Sequence, residues 1–125
     1  MGKITIEMLE ISYPVLQRVY TGQIGLVDAG NLIAENSGMN RNTAQRLAHS
    51  FKKLMAGEQY ASVMSGDMYR YYLECIVKDY GIGQLRKALS AVEQHIEYYF
   101  KASGNPQKGV VAIIMQFRRR YGLSQ

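Results

Sequence analysis

Residues 26–55, LVDAGNLIAENSGMNRNTAQRLAHSFKKLM, read as a helix, a tight turn at Gly38 and a second helix. The second helix has apolar residues at intervals of three and four, the spacing of one buried helical face. They are Ala44, Leu47, Ala48, Phe51, Leu54 and Met55. Glycine suits the turn because it adopts a left-handed backbone without the steric penalty of a Cβ atom. The stretch therefore predicts a helix-turn-helix-like hairpin over about residues 26–56.

The two helices of such a hairpin must approach each other closely. Ala34 offers a small side chain where we expect them to cross, whereas Ser37 is polar at a position that is usually apolar in such motifs. The apolar residues that we expect to lock the second helix are Ile33, Met39, Ala44 and Leu47.

The remaining side of the second helix is polar and basic, and we expect it to point away from the core. Its members are Asn40, Arg41, Asn42, Gln45, Arg46, His49, Lys52 and Lys53. In a DNA-binding helix-turn-helix this face enters the major groove, where Arg pairs with guanine and Asn or Gln with adenine. We expect Lys52, Lys53 and a second basic cluster, Arg118, Arg119 and Arg120, to neutralise phosphates. A plain helical hairpin with a solvated basic face is the alternative.

Composition sets broad limits on the remaining possibilities. A chain of 125 residues is expected to form one domain, residues 1–125, that needs no disulfide or metal to fold. The net charge of +5 favours an anionic partner without identifying it. Cys75 is the single cysteine, so no internal disulfide forms, and its apolar neighbours predict buried packing. Without an apolar run of membrane-spanning length or a secretory signal, we expect a cytoplasmic protein.

Helical periodicity runs through the rest of the chain, and strand alternation is absent. The sequence therefore predicts an all-α fold, a compact bundle of five or six helices containing the helix-turn-helix-like hairpin. A first helix over residues 5–21 would bury Ile6, Leu9, Tyr13, Leu16 and Tyr20, with Pro14 kinking it or beginning its second half.

Three further helices are expected beyond the hairpin. A second hairpin over about residues 67–102 would begin with Asp67 as N-cap and contain helices over about 67–80 and 84–102, and a C-terminal helix would cover about 107–121. The expected buried residues of these helices are Met68, Tyr72, Leu73, Ile76, Tyr80, Leu85, Ala88, Leu89, Val92, Ile96 and Tyr99, with Val110, Ile113, Ile114, Phe117 and Tyr121 on the C-terminal helix. In the preceding loop, Tyr60, Val63 and Met64 are expected to pack back onto the fold.

Signals of catalysis are weak, and we predict no enzyme activity, no metal site and no cofactor. The two histidines, His49 and His95, lie on different helices, and no paired Cys/His motif occurs. His95 has apolar neighbours, which predicts a structural histidine between core and rim rather than a general base. Gly81 and Gly83 lack the strand and the Gly-Lys-Ser/Thr sequence of a phosphate loop.

Several short motifs occur together in this chain. The more specific ones are Gly38-Met39-Asn40-Arg41-Asn42 and His95-Ile96-Glu97-Tyr98-Tyr99. The others are Tyr20-Thr21-Gly22, Ala44, Phe51, Met55-Ala56-Gly57, Tyr60, Tyr72-Leu73-Glu74, Ile76, Asp79-Tyr80-Gly81, Leu85 and Ala88-Leu89-Ser90-Ala91-Val92. Together they resemble a helical module found beside HNH-type restriction endonuclease domains, the N-terminal head of McrA-like, modification-dependent enzymes. The resemblance implies attachment to a DNA-cleaving system. It does not imply cleavage, because the His/Asn/His constellation of an HNH site is missing.

Two functions remain open at this point. The first is a DNA-targeting module for double-stranded DNA, with a nuclease domain as partner and RNA as a further candidate ligand. The second is an interaction or oligomerisation domain, such as a homodimer or a phage or mobile-element protein that acts on a defence enzyme. This second function would require Tyr69, Tyr71, Met64 and Tyr98 to be exposed and to form its contact surface, whereas tyrosines more commonly fill a core or its rim.

Overall fold

The computed structural model describes residues 3–123, and the regular structure in this range is entirely α-helical. Six helices occur there: α1 (Ile6–Tyr20), α2 (Leu26–Ser37), α3 (Arg41–Ala56), α4 (Gly66–Tyr80), α5 (Ile82–Ser103) and α6 (Lys108–Arg120). The all-α fold class is therefore confirmed.

The chain divides into two compact units, Met1–Lys52 and Lys53–Gln125. The first holds α1, α2 and most of α3, and the second holds the last turn of α3 with α4, α5 and α6. That residues 1–125 form one domain stays a prediction. Residues 1, 2, 124 and 125 of that range lie outside the described residues.

Helix α1 of the first unit begins where the Thr5 hydroxyl accepts a hydrogen bond from the backbone N–H of Met8. Its expected residues Leu9, Tyr13 and Leu16 are buried. The prediction was wrong for Ile6 and Tyr20, which are 55% and 40% exposed, because both occupy terminal positions of the helix. Pro14 lies on the exposed side and does not divide the helix.

The turn between α2 and α3 takes only three residues, Gly38, Met39 and Asn40, and Ser37 at the end of α2 stabilises it. Gly38 ends α2 in the left-handed conformation expected of it, with φ +80°. The Ser37 hydroxyl donates to the Ile33 carbonyl and accepts from the Met39 N–H, which explains a polar residue at this position. Asn40 caps α3, because its Oδ1 accepts from the N–H groups of Asn42 and Thr43 at 2.9 and 3.2 Å.

The buried face of α3 agrees with the periodicity, since all six of its expected apolar residues are buried. A small residue that the sequence analysis did not single out lies at the contact between α2 and α3: a Cβ atom at Gly30 would lie 2.7 Å from Cδ of Gln45. The absence of a side chain there makes room for Gln45 against α2. The role expected of Ala34, one helical turn after Gly30, stays a prediction.

The second unit is built from α4, α5 and α6 with the loop that precedes them. Helix α4 is capped by the Ser65 hydroxyl, which accepts from the Met68 N–H, so Asp67 lies in its first turn and the N-cap prediction was wrong. Helix α5 begins at Ile82, two residues earlier than expected, directly after the break at Gly81. In the loop, Tyr60 and Met64 are buried as expected, whereas Val63 is 53% exposed.

Most of the expected apolar stripe of the second unit is buried. The buried members are Met68, Tyr72, Leu73, Ile76, Leu85, Ala88, Leu89, Val92, Val110, Ile113, Ile114 and Phe117. The prediction placed four further residues too deep, since they are only half-buried: Tyr80, Ile96, Tyr99 and Tyr121.

The Gly38 turn can be tested by substitution. Gly38→Ala should destabilise the protein by about 1 kcal/mol, because a left-handed backbone is costly for a residue with a Cβ atom. Gly109→Ala is the matched control: the site is helical with no neighbouring atom within 4 Å, so alanine should stabilise it by about 0.5–1 kcal/mol. Urea unfolding followed by circular dichroism measures both. Equal midpoints for the two variants would contradict the assigned role of the turn.

Candidate nucleic-acid interface

The polar face of α3 is the candidate interface, and it is supplied by the first unit. At about 100° per residue, the polar positions 41, 42, 45, 46, 49 and 52 fall within an arc of roughly 140°, opposite the buried apolar residues. Five of the expected side chains on this arc are exposed: Arg41, Asn42, Arg46, His49 and Lys52. We refer to these five residues as the α3 face. Lys53 is half-buried and belongs to the second unit.

The α3 face is electrostatically one-sided. Helix α3 contains four basic residues and no acidic one. In the described part of the chain, no ion pair engages Arg41, Arg46 or Lys52. Because their charges are not neutralised internally, these three cations are available to an external anion.

Two other residues predicted for this surface are occupied within the hairpin. The Nε2 of Gln45 donates to the Val27 carbonyl at 3.1 Å and to Oδ1 of Asn31 at 3.3 Å. The expectation that Gln45 points away from the core is therefore wrong, because Gly30 leaves a place for its side chain against α2. Asn40 is exposed, but its Oδ1 is committed to capping α3.

The C-terminal arginines occupy three different environments in the second unit. Arg118 makes a bidentate pair with Glu93, at 2.9 and 2.7 Å, and its remaining terminal nitrogen donates to the Leu123 carbonyl. Arg120 pairs with Glu74. Arg119 is exposed, and no carboxylate in residues 3–123 pairs with it. A phosphate role for Arg118 and Arg120 stays a prediction that would require these pairs to open.

The aromatic contact surface considered from the sequence is not assembled as expected. Tyr69 and Met64 are buried, so neither belongs to the exposed contact surface that the second function would require. The hydroxyl groups of Tyr69 and Tyr60 hydrogen-bond to each other, and burial raises the pKa of Tyr69 to about 12. Tyr71 is half-buried, and Tyr98 is 39% exposed.

His95 lies in the core of the second unit rather than at its rim, since it is completely buried. Its Nδ1 is 2.7 Å from the Tyr60 carbonyl and therefore donates, which leaves Nε2 to accept from the Gln107 side-chain amide at 3.1 Å. The Tyr60 ring stacks on the imidazole at 4.4 Å. Burial lowers the pKa of His95, against the opposing effect of the Tyr60 carbonyl. The neutral ring thus serves as a buried link between the loop and α5.

Metal and thiol chemistry find no support in the described residues. Within residues 3–123, no group of three or more His, Cys, Asp or Glu side chains is placed to hold a metal ion. Cys75 is half-buried, less deeply than its neighbours suggested, and burial raises the pKa of its thiol. A protonated thiol is a poor nucleophile.

Sequence reasoning missed a groove between α5 and α6 in the second unit. The groove has a volume of about 610 Å³, and its lining is mainly apolar. The residues that line it are Glu93, Ile96, Val111, Ile114, Met115, Arg118 and Arg119. A signal was present in the sequence, because Lys108, Val111, Met115 and Arg119 recur at helical spacing beside the buried stripe of α6.

Comparisons with protein-family models, curated proteins and solved structures gave no match to this chain. The assignment therefore depends on the geometry and chemistry of its own residues. In the described part of the chain, no helix combines the length and apolar character needed to cross a bilayer.

The buried state of His95 predicts a pH dependence of stability. Its pKa is lowered in the folded protein, so the unfolded chain takes up the proton first. The contribution of His95 to the free energy of unfolding should therefore be fully present above the unfolded pKa of about 6.5. It should fall as the pH decreases toward the lowered pKa of the folded protein.

Urea unfolding between pH 7.5 and 5.5 measures this effect. His95→Gln should flatten the dependence over that interval even where it lowers overall stability, and His49→Gln, a change at an exposed histidine, should retain it. A wild-type profile with no slope attributable to His95 would contradict its buried neutral state.

Proposed function

We propose that this protein is a DNA-binding module that targets double-stranded DNA and has no nuclease chemistry of its own. The observation that supports the proposal best is the α3 face. On the second helix of a helix-turn-helix-like hairpin it presents two polar side chains and three cations that form no ion pair within residues 3–123. Such a surface is complementary to a grooved polyanion.

The position of each residue along α3 suggests a division of roles. In helix-turn-helix proteins the N-terminal part of the recognition helix contacts base edges. Arg41, Asn42 and Arg46 lie in that part, with side chains suited to guanine and adenine edges. Lys52 lies six residues beyond Arg46, fewer than two helical turns, and is assigned to a phosphate. The first turn of α3 contains no acidic residue, so the partial positive charge of the helix terminus adds to the attraction.

The biological setting of the proposal depends on the resemblance to the McrA-like head module. That likeness favours a restriction or defence-type system in the cytoplasm, in which a nuclease domain cleaves the DNA and this module locates it. Methylated and unmethylated duplexes are therefore the informative ligands, because modification-dependent enzymes distinguish them.

An interaction module is the second candidate, and the apolar groove between α5 and α6 favours it. This second function has two forms: a homodimer, or a phage or mobile-element protein that acts on a defence enzyme. It differs from the first candidate in a measurable way, because a protein interface of this kind does not require the cations of the α3 face.

The roles within the α3 face can be separated by three substitutions. Arg46→Ala should reduce discrimination between the preferred and other duplexes by about 1–3 kcal/mol, the usual value of one bidentate base contact. Lys52→Ala should weaken binding to all sequences alike and reduce the salt slope by about 1. Arg18→Ala removes an equivalent exposed charge from α1 and should have little effect. Fluorescence anisotropy on methylated and unmethylated duplexes measures all three. Wild-type binding by both α3 variants would show that the surface is wrongly assigned.

A salt titration tests the proposal as a whole. The logarithm of the association constant should fall against the logarithm of salt concentration with a slope of about −0.9 for each phosphate neutralised, and Lys52 accounts for one of these. Absence of duplex binding at low salt would exclude the DNA-binding function and leave the interaction module.

A further inference from the structure

We propose that the groove between α5 and α6 binds an amphipathic helix of a partner protein. The apolar face of that helix has a carboxylate side chain at each of its two ends. The proposal is independent of the DNA-binding function, because its residues belong to the second unit and none of them lies on the α3 face.

The floor of the groove is apolar, and residues 3–123 cover it only in part. Ile96 of α5 and Val111, Ile114 and Met115 of α6 line it. Ile114 is buried, Ile96 and Val111 are half-buried, and Met115 is 54% exposed. Phe100, one helical turn after Ile96 on α5, is also 53% exposed. Contiguous exposed apolar residues with a polar rim are typical of interaction sites, and methionine adapts readily to a partner surface.

The cations around this floor are unequally neutralised, which indicates the charge of the occupant. Arg118 is held by Glu93 and Arg120 by Glu74. Arg119 is the middle member of the triplet, lines the groove and pairs with no carboxylate in residues 3–123. A carboxylate supplied by the occupant would complete the pattern at Arg119.

A second cation lies at the opposite end of the same stripe. Lys108, Val111, Met115 and Arg119 follow one another on one side of α6, and α6 contains no acidic residue. Lys108 is exposed and has no ion-pair partner in the described residues. Lys108 and Arg119 are eleven residues apart, which corresponds to about 16 Å along a helix. An occupant that satisfies both needs an apolar centre and two carboxylates at a similar separation.

A helix meets these requirements better than the other classes of ligand. The groove follows α5 and α6 along the surface, and a helix of about three turns spans the distance between the two cations. Helices commonly bind in such grooves through apolar side chains at i, i+3, i+4 and i+7. A DNA backbone offers phosphates for Arg119 but no apolar surface to cover Met115 and Phe100. A flat bilayer does not fill a concave groove.

Two designed peptides of about 18 residues serve as probes. The acidic peptide has leucines at helical spacing and glutamates eleven residues apart at the ends of that face. The basic peptide is identical except that lysines replace the two glutamates. We expect the full-length protein to bind the fluorescein-labelled acidic peptide at least tenfold more tightly than the basic peptide in fluorescence anisotropy.

Substitutions then locate the binding site. Met115→Glu should weaken binding of the acidic peptide at least tenfold, whereas Gln116→Glu, an identical charge change at the exposed neighbouring position, should retain most of it. Arg119→Glu should weaken the acidic peptide and strengthen the basic one, a reversal that loss of structure cannot produce. Duplex DNA binding by the Met115→Glu protein should remain at the wild-type level.

Several outcomes would overturn the proposal. Equal binding of the two peptides, or equal effects of Met115→Glu and Gln116→Glu, would remove the groove as a specific site. Binding of anionic phospholipid vesicles that is lost in the Met115→Glu protein would assign the surface to a membrane instead. Displacement of the bound peptide by duplex DNA through the groove residues would assign it to nucleic acid.

Discussion

The arrangement of the first unit depends on the backbone of one turn. Gly38 ends α2 in a left-handed conformation, and Asn40 caps α3 only two residues later. Such a short connection leaves the direction of α3 little freedom once its apolar face is buried. The position of that face then decides which side chains of α3 remain at the surface. Any function of Arg41, Arg46 and Lys52 follows from this constraint.

Internal ion pairing distinguishes the basic residues of the two units from one another. In the second unit, Glu93 and Glu74 neutralise Arg118 and Arg120, and the first of these pairs is bidentate and half-buried. Among residues 3–123, no carboxylate pairs with a basic residue of α3. The net charge of +5 is thus a poor guide to binding, because a paired arginine contributes little to the attraction of an external anion.

Buried polar contacts, as well as apolar packing, hold the loop of the second unit to its helices. His95 donates to the Tyr60 carbonyl and accepts from Gln107, while Gln94 donates to the Gly57 carbonyl at 3.0 Å. Gln107 has a left-handed backbone with φ +47°, a strain of about 1 kcal/mol for a residue with a Cβ atom. Its hydrogen bond to His95 offsets part of that cost, because an unpaired buried nitrogen on the imidazole would be unfavourable.

The sequence by itself determined the helices, the turn at Gly38 and the buried face of α3, since these depend on local backbone preference and on the 3.6-residue period. It did not determine the surroundings of Gln45, which lies against α2 because Gly30 leaves space there. The hydrogen-bond partners of Gln45, Val27 and Asn31, are eighteen and fourteen positions away along the chain. Nor did it show that Tyr69 is buried or that Arg118 and Arg120 are paired. Those properties depend on which side chains meet across helices, and a linear pattern carries no record of distances between residues far apart in the chain. The candidate interface therefore came from the sequence, and the availability of each of its side chains came from the tertiary structure.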